Sequence, residues 1–219
     1  MKKIILIFLI LSNSVVYAGV SNEVKNLQTQ WAKIKYNTPE KEQEKKFEQL
    51  LAKAEKLVIK HPGDVDTLIW EGIIRSTYAG AKGGLGALSE VKKAKISFEH
   101  ALEINPTALN GSAYTSLGSL YYQVPGWPLG FGNSDKAEKM LKKGLGTNPD
   151  GLDSNYFYGD FLKSEKKYTD ALFVFEKALK APPRLNRELA DKGRKKEVES
   201  AILEIKSLLE EKSSKHNSL

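Results

Sequence analysis

The most restrictive feature of this sequence is a pattern that occurs three times and ends each time in a proline. It covers residues 94–106, 137–149 and 171–183. Each segment reads alanine, three residues, a large apolar residue, two residues, a small residue, four residues and proline. Residues three and four apart share one face of an α-helix, and proline cannot continue a helix. The pattern therefore predicts three helices that each pack one face and stop before a proline.

Each of these three helices, helix B of its unit, is preceded by a partner helix, helix A. Each helix A carries a glycine, at Gly72, Gly118 and Gly159. In the last unit the terminal prolines Pro149 and Pro183 are 34 residues apart. This period and residue pattern resemble the tetratricopeptide repeat, a helix–turn–helix unit of about 34 residues. The sequence predicts an all-α fold, a tetratricopeptide-repeat α-solenoid of antiparallel helix pairs with enlarged A–B loops in two repeats.

The flanks of the three units extend the same array. A helix over residues 39–60, with a partner over residues 23–36, predicts an earlier and degenerate unit that ends at Pro62. Residues 186–212 predict a further amphipathic pair of helices whose polar outer side would cap the solenoid.

Two units are longer than the repeat requires. The terminal prolines Pro62, Pro106 and Pro149 are separated by 44 and 43 residues, and most of the excess lies between helix A and helix B. It forms a glycine-rich stretch over residues 78–89 and a stretch with two prolines and two large rings over residues 124–134. Equivalent positions of a solenoid stack on one edge, so we expect two neighbouring loops there. Either the rings form a binding rim, or they fold back and fill a gap between units.

In tetratricopeptide repeats the A helices line the concave face, and the resemblance assigns inward positions on each of them. The candidate interaction site combines part of this lining with the two enlarged loops. Its members are Ile69, Ile73, Leu85, Tyr122, Trp127, Leu129, Phe131, Tyr156, Asp160 and Lys163. The lining lacks the lysine and asparagine cluster with which some members clamp a peptide C-terminus, which argues against that function.

The N-terminus has the order of a secretory signal peptide. Lys2 and Lys3 precede an apolar run over residues 4–11, and residues 16–18 form a small-residue cleavage pattern. We predict a signal peptide over residues 1–18, cleaved after Ala18, and therefore a periplasmic location. The alternative is an uncleaved N-terminal anchor, although the apolar run is short for a bilayer.

The sequence contains no cysteine, which excludes disulfides, thiolate metal sites and a cysteine-linked lipid. We therefore expect no stable membrane anchor after signal cleavage. The predicted organisation is a helical domain over residues 19–212, followed by a disordered tail over residues 213–219.

Charge and motifs favour interaction over catalysis. The net charge is +7, but lysines alternate with glutamates, as in residues 41–46, which is typical of solvated helix faces rather than nucleic-acid binding. The glycine-rich residues 80–86 lack the Gly-Lys-Ser/Thr of a phosphate loop. The three histidines are scattered, and no catalytic constellation is present. We predict a protein that is not an enzyme and has no cofactor or metal.

Three loop phrases carry a closer resemblance. Residues 120–137, 148–162 and 181–194 resemble exported bacterial repeat proteins related to the T component (TatT-like) of TRAP transporters. That resemblance implies a periplasmic protein that forms oligomers and pairs with a substrate-binding protein serving a membrane transporter. It also implies a cleft for a small apolar ligand. Characterised T components are lipoproteins, whereas this chain has no cysteine. The alternative prediction is a scaffold for cell-envelope assembly that binds no ligand.

Overall fold

The computed structural model describes the backbone of residues 13–216 and the side chains of residues 21–211. The predicted signal peptide lies outside the described side chains and, up to residue 12, outside the described backbone. Of the predicted tail, residues 213–216 continue the last helix, and residues 217–219 lie outside the described residues.

The described residues form nine helices and no strand. In chain order they are α1 (Asn13–Asn37), α2 (Glu40–Lys60), α3 (Val65–Lys82), α4 (Gly84–Ile104), α5 (Ala108–Gln123), α6 (Ser134–Thr147), α7 (Leu152–Ser164), α8 (Tyr168–Leu179) and α9 (Glu188–His216). Three consecutive helix pairs, each joined by a short turn or loop, pack together: α3 with α4, α5 with α6, and α7 with α8. The pair of α1 and α2 precedes them. The predicted architecture of helix pairs is confirmed. None of the described helices has the length and hydropathy required to traverse a bilayer.

Local signals fix where the helices begin and end. Asp64 accepts a hydrogen bond from the Thr67 backbone N–H at 2.8 Å and so caps α3. Asn133 caps α6 in the same way through the Lys136 backbone N–H. An N-cap carboxylate or amide satisfies one of the backbone donors that a helix start leaves unpaired. At the other end, Asn105 is extended because the proline that follows disfavours the helical conformation.

The glycines of the A helices give room to side chains of the B helices. A Cβ at Gly72, Gly118 or Gly159 would lie within 3 Å of Phe98, Leu141 or Phe175, respectively. These three side chains are at most 1% exposed. Close approach of the paired helices is therefore built on glycine, as the repeat pattern predicts.

The first enlarged connection differs from the predicted loop. Helix α3 continues to Lys82 and α4 begins at Gly84, so almost the whole of residues 78–89 is helical. The chain turns at Gly83 and Gly84, which have φ of 65° and 62°, a conformation that favours glycine. The second enlargement, between α5 and α6, is a loop as predicted.

The C-terminal region also differs, because the predicted pair of helices over residues 186–212 is one continuous helix. Nothing in residues 188–212 interrupts it, since this stretch contains no proline and only one glycine. Its apolar face, which includes Val198, Ile202 and Ile205, is buried in the main core. Helix α9 packs on α7 and α8 and also contacts α1. The last element of the solenoid therefore returns to the first one.

Candidate interaction rim and central cavity

The concave side of the solenoid carries a partly open cavity of about 750 Å³. Its walls come from α1, α2, α3, α4, α5, α7, α9 and the turn before α9. One part of the wall is apolar and includes Trp31, Trp70 and Ile73, whereas α5 contributes the hydroxyl groups of Ser112 and Ser116. A volume of this size falls in the range of small-molecule pockets, about 300–1,000 Å³.

Helix α9 covers the concave end of the third unit, where the sequence predicts that Tyr156, Asp160 and Lys163 are available to a ligand. The Arg194 guanidinium of α9 lies 4.2 Å from the Tyr156 ring centroid. Lys163 pairs with Glu204 of α9 at 2.8 Å. All three residues face α9 or its neighbours across a second depression, of about 580 Å³. The protein's own C-terminal helix therefore forms one side of this depression, opposite Tyr156, Asp160 and Lys163.

Tyr122 and Asp160 form a polar contact between neighbouring repeats. The Tyr122 hydroxyl donates a hydrogen bond to Asp160 at 2.7 Å. Burial first, and then the Asp160 charge, raise the pKa of Tyr122 well above its usual value. The hydroxyl therefore stays protonated and joins α5 to α7.

The two candidates of the first unit have different surroundings. Ile69 is fully buried in the core, so its assignment as a ligand contact is wrong. The A helix of an early repeat is covered on both sides, since α3 packs against α2 as well as α4. Ile73, one turn later, lines the central cavity.

The loop over residues 124–133 separates its apolar side chains into two groups. Trp127 is 90% exposed and Leu129 is 67% exposed. Phe131 instead turns inward and meets the Tyr121 ring edge-on, with the ring centroids 5.8 Å apart. Each of the two predicted alternatives therefore describes one ring: Phe131 fills a gap, and Trp127 is displayed.

Backbone contacts hold this loop in one shape. The Gly132 N–H donates to the Pro125 carbonyl at 3.0 Å, and the Gly130 N–H donates to the Gly126 carbonyl at 3.1 Å. A side chain at Gly130 would collide with the Pro125 carbonyl, and one at Gly132 with the Val124 carbonyl. Glycine is required at these two positions because the two sides of the loop approach too closely for a Cβ.

Both enlargements border the same end of the central cavity. The cavity lining includes Gly80 near the end of α3, Leu88 near the start of α4, and Val124 and Pro125 after α5. Leu85, which is 86% exposed, lies at the start of α4. We call Leu85, Trp127 and Leu129 the rim residues, because they sit on the two segments that border this end.

A charged wall of the cavity is formed by α7, the turn before α9 and α9, and the repeat pattern does not predict it. Arg184 binds Asp153 and Asp191, each at 2.6 Å. Arg194 binds Asp153 at 2.9 Å and Glu197 at 2.6 Å. Burial alone would raise the pKa of Asp153, but the charges of Arg184 and Arg194 hold it well below its usual range.

Arg187 belongs to the same wall but has different contacts. Its guanidinium lies over the Trp70 ring, 4.9 Å from the centroid, and its Nε is buried without a hydrogen-bond partner among the described residues. Burial and the neighbouring Arg184 charge lower its pKa. One signal could have identified this wall: three of the four arginines in the sequence lie within residues 184–194. The described residues contain no group of three or more potential metal-ligating side chains.

A match to a family model agrees with the repeat spacing of the last unit. The tetratricopeptide-repeat profile matches residues 152–184, which cover α7, α8 and the turn that follows. A similar solved structure is that of a thermophilic tetratricopeptide-repeat protein from Thermus thermophilus, at 16% identity and a TM-score of 0.45. The similarity covers 84% of this chain and 99% of that one. No curated protein sequence matches the chain.

The helix pairs and the matched repeat define the fold as a tetratricopeptide-repeat α-solenoid. Solenoids of this kind present extended surfaces built from successive repeats, and they typically serve as protein-interaction modules.

Proposed function

We propose that this chain is an exported, non-enzymatic interaction protein of the bacterial periplasm, an accessory component of TRAP-type solute uptake. In this proposal a partner protein, such as a periplasmic substrate-binding protein, docks on the rim residues Leu85, Trp127 and Leu129. The central cavity receives a small apolar ligand. The resemblance of the loop phrases to T components supports the transport role, and the N-terminal pattern supports export. Assembly of several copies remains a prediction of the same resemblance.

The observation that carries the docking proposal is the display of Trp127 by a rigid loop. A tryptophan at 90% exposure leaves a large apolar surface in water, and the fold gains little from it. The loop is fixed by its own backbone hydrogen bonds, so a partner would lose little conformational freedom in ordering it. Tryptophan is also among the residue types most enriched at the energetic centres of protein interfaces.

The test is affinity capture from the envelope fraction of the host, with mass-spectrometric identification of the captured proteins. The variant Trp127→Ser/Leu129→Ser removes the apolar surface of the loop. Phe173→Ser is the matched control, because Phe173 is 73% exposed on α8, away from the loop. We expect the wild-type protein and the control to retain the same partner and the double variant to lose it.

The identity of the partner separates the two functions considered from the sequence. A substrate-binding protein among the partners that depend on the rim supports the role in solute uptake. Capture of envelope-assembly proteins alone favours the scaffold alternative. Equal capture by the double variant would show that the rim is not the docking surface. Circular dichroism melting of each variant confirms that it is folded.

A further inference from the structure

We propose that the central cavity binds a small amphipathic monocarboxylate, with the carboxylate on Arg187 and the apolar body against Trp70 and its neighbours. This inference rests on the proposed ligand-binding role of the cavity and specifies the chemistry of the ligand. It is independent of partner docking, because the rim residues are not part of the cavity lining.

Arg187 lines the cavity with hydrogen-bonding capacity that the protein does not use. It forms no ion pair among the described residues, and its Nε is buried without an acceptor. Its side-chain contact is the face of Trp70. A buried donor without a partner is unfavourable, more so when it is charged, so the free protein carries a cost that a bound acceptor would remove.

The acidic side chains nearby are already engaged. Asp153 accepts from Arg184 and Arg194, Asp191 accepts from Arg184, and Glu197 accepts from Arg194. Arg187 is therefore the member of the arginine cluster that pairs with no carboxylate among the described residues.

The surroundings favour a carboxylate over a more highly charged anion. A single guanidinium matches the two oxygens of a carboxylate through paired N–H donors. The charges of Asp153 and Asp191 act on Arg187, and they would repel a second negative charge at this place. One arginine without an ion pair, next to two fixed anions, therefore suits a monovalent ligand.

The rest of the cavity suits an apolar body with limited polarity. Trp70 and Ile73 provide apolar surface, and Leu109 packs on the same group of side chains. Ser112 and Ser116 lie one turn apart on α5 and line the cavity. No described side chain or backbone group accepts a hydrogen bond from either hydroxyl. These hydroxyls can serve a second polar atom of the ligand or ordered water.

The experiment compares acids with their neutral counterparts. The probes are 4-phenylbutyrate and decanoate, each paired with its primary amide, and binding is measured by isothermal titration calorimetry on the purified protein. Fluorescence of Trp31 and Trp70, which both line the cavity, gives a second readout, with Trp127→Phe as background to remove the signal of the exposed ring. Arg187→Gln removes the charge, and Lys192→Gln, an exposed position on α9, is the matched control.

We expect the wild-type protein and Lys192→Gln to bind the acids about tenfold or more tightly than the amides. Arg187→Gln should weaken acid binding by about tenfold and leave amide binding unchanged. Arg187→Lys keeps the charge without the paired donors, so acid binding should fall to an intermediate level. If Arg187→Gln does not fold, the acid affinity of Arg187→Lys tests the proposal instead.

Three outcomes would overturn the inference. Equal affinity for acid and amide would leave the cavity as an apolar ligand site and remove the role of Arg187. Acid binding that is unaffected in Arg187→Gln, or in Arg187→Lys if only that variant folds, would place the anion elsewhere. Failure of every probe to bind at millimolar concentration would reject both the carboxylate site and the proposed ligand role, whereas the capture experiment on the rim would be unaffected.

Discussion

At the scale of single residues, the loop after α5 shows how far a sequence pattern can determine the role of a side chain. The repeat period locates the insertion, and its prolines and glycines mark it as a shaped loop. The period does not say which ring turns inward. That choice depends on the close approach of Gly132 to the Val124 carbonyl and on the Tyr121 ring that receives Phe131. Such contacts exist only after the loop has folded.

Phe131 and Trp127 should therefore differ in their effect on stability. Replacing a fully buried phenylalanine by alanine lowers the free energy of unfolding by about 3–5 kcal/mol. Because Phe131 is only half-buried, we expect Phe131→Ala to cost about 1–2 kcal/mol. Trp127→Ala should stay within about 0.5 kcal/mol of the wild type, as exposed substitutions do. Urea denaturation measures both values, and equal losses would mean that Trp127 is also part of the packing.

At the scale of elements, the helix pairs follow from local periodicity, but two segments show where composition misleads. Residues 78–89 are rich in glycine, which predicts a loop, yet they extend α3 and α4. Tyr78 and Ala79 of this stretch are buried, and Ala87 and Leu88 pack against the main core. Tertiary packing thus outweighs the low helix propensity of glycine, about 1 kcal/mol per residue. After Pro183, the polar outer face of the sequence predicts a capping element. Whether that element is one helix or two depends on its contacts with α7 and α8.

The ion cluster that joins α7 to the turn before α9 gives a pH-dependent prediction. The folded pKa of Asp153 is depressed by Arg184 and Arg194, which outweigh the opposing effect of burial. A carboxyl with a depressed folded pKa contributes stability above its unfolded pKa, about 3.9, and loses it as the pH falls toward the folded pKa. Asp153→Asn should therefore lower the free energy of unfolding by about 2 kcal/mol at pH 7.

The difference between Asp153→Asn and the wild type should narrow as the pH falls from about 4 toward 2, because the wild type progressively loses the same contribution. Urea denaturation at several pH values measures this convergence. Asp150→Asn is the control, because the Asp150 side chain is 77% exposed and its ion pair with Lys177 lies at the surface. A constant difference between Asp153→Asn and the wild type at every pH would contradict the assigned role of the charge.

At the scale of the whole molecule, the return of α9 to α1 changes what the solenoid can do. The sequence predicts an open concave groove, because each repeat is read from its own residues and its neighbours. Tyr36 of α1 contacts Gly193 of α9, and the repeat pattern does not predict that these distant segments meet. This contact turns the groove into a cavity with one end bordered by the enlarged connections, and it engages Tyr156, Asp160 and Lys163 within the protein. The rim residues lie outside this arrangement and are exposed to solvent.

This closure depends on a glycine of α9. A Cβ at Gly193 would collide with the Tyr36 ring of α1, whereas one at Gly146 in α6 would meet nothing within 4 Å. Replacing glycine by alanine in a helix normally stabilises it by up to about 1 kcal/mol. We therefore expect Gly146→Ala to gain stability. Gly193→Ala should instead lose about 1 kcal/mol or more, since the ring must move in a packed site.

The two glycine variants should also differ in where the structure loosens. Hydrogen exchange measured by mass spectrometry should show faster exchange in α1 of Gly193→Ala, while α5 and α6 keep their protection, because only the junction between the first and last helices is disturbed. Gly146→Ala should leave α1 unchanged. If Gly193→Ala were as stabilising as Gly146→Ala and α1 kept its protection, α1 and α9 would not be held together at this point. The second depression, which Tyr36 and Gly193 both line, would then lose the junction that forms one of its sides.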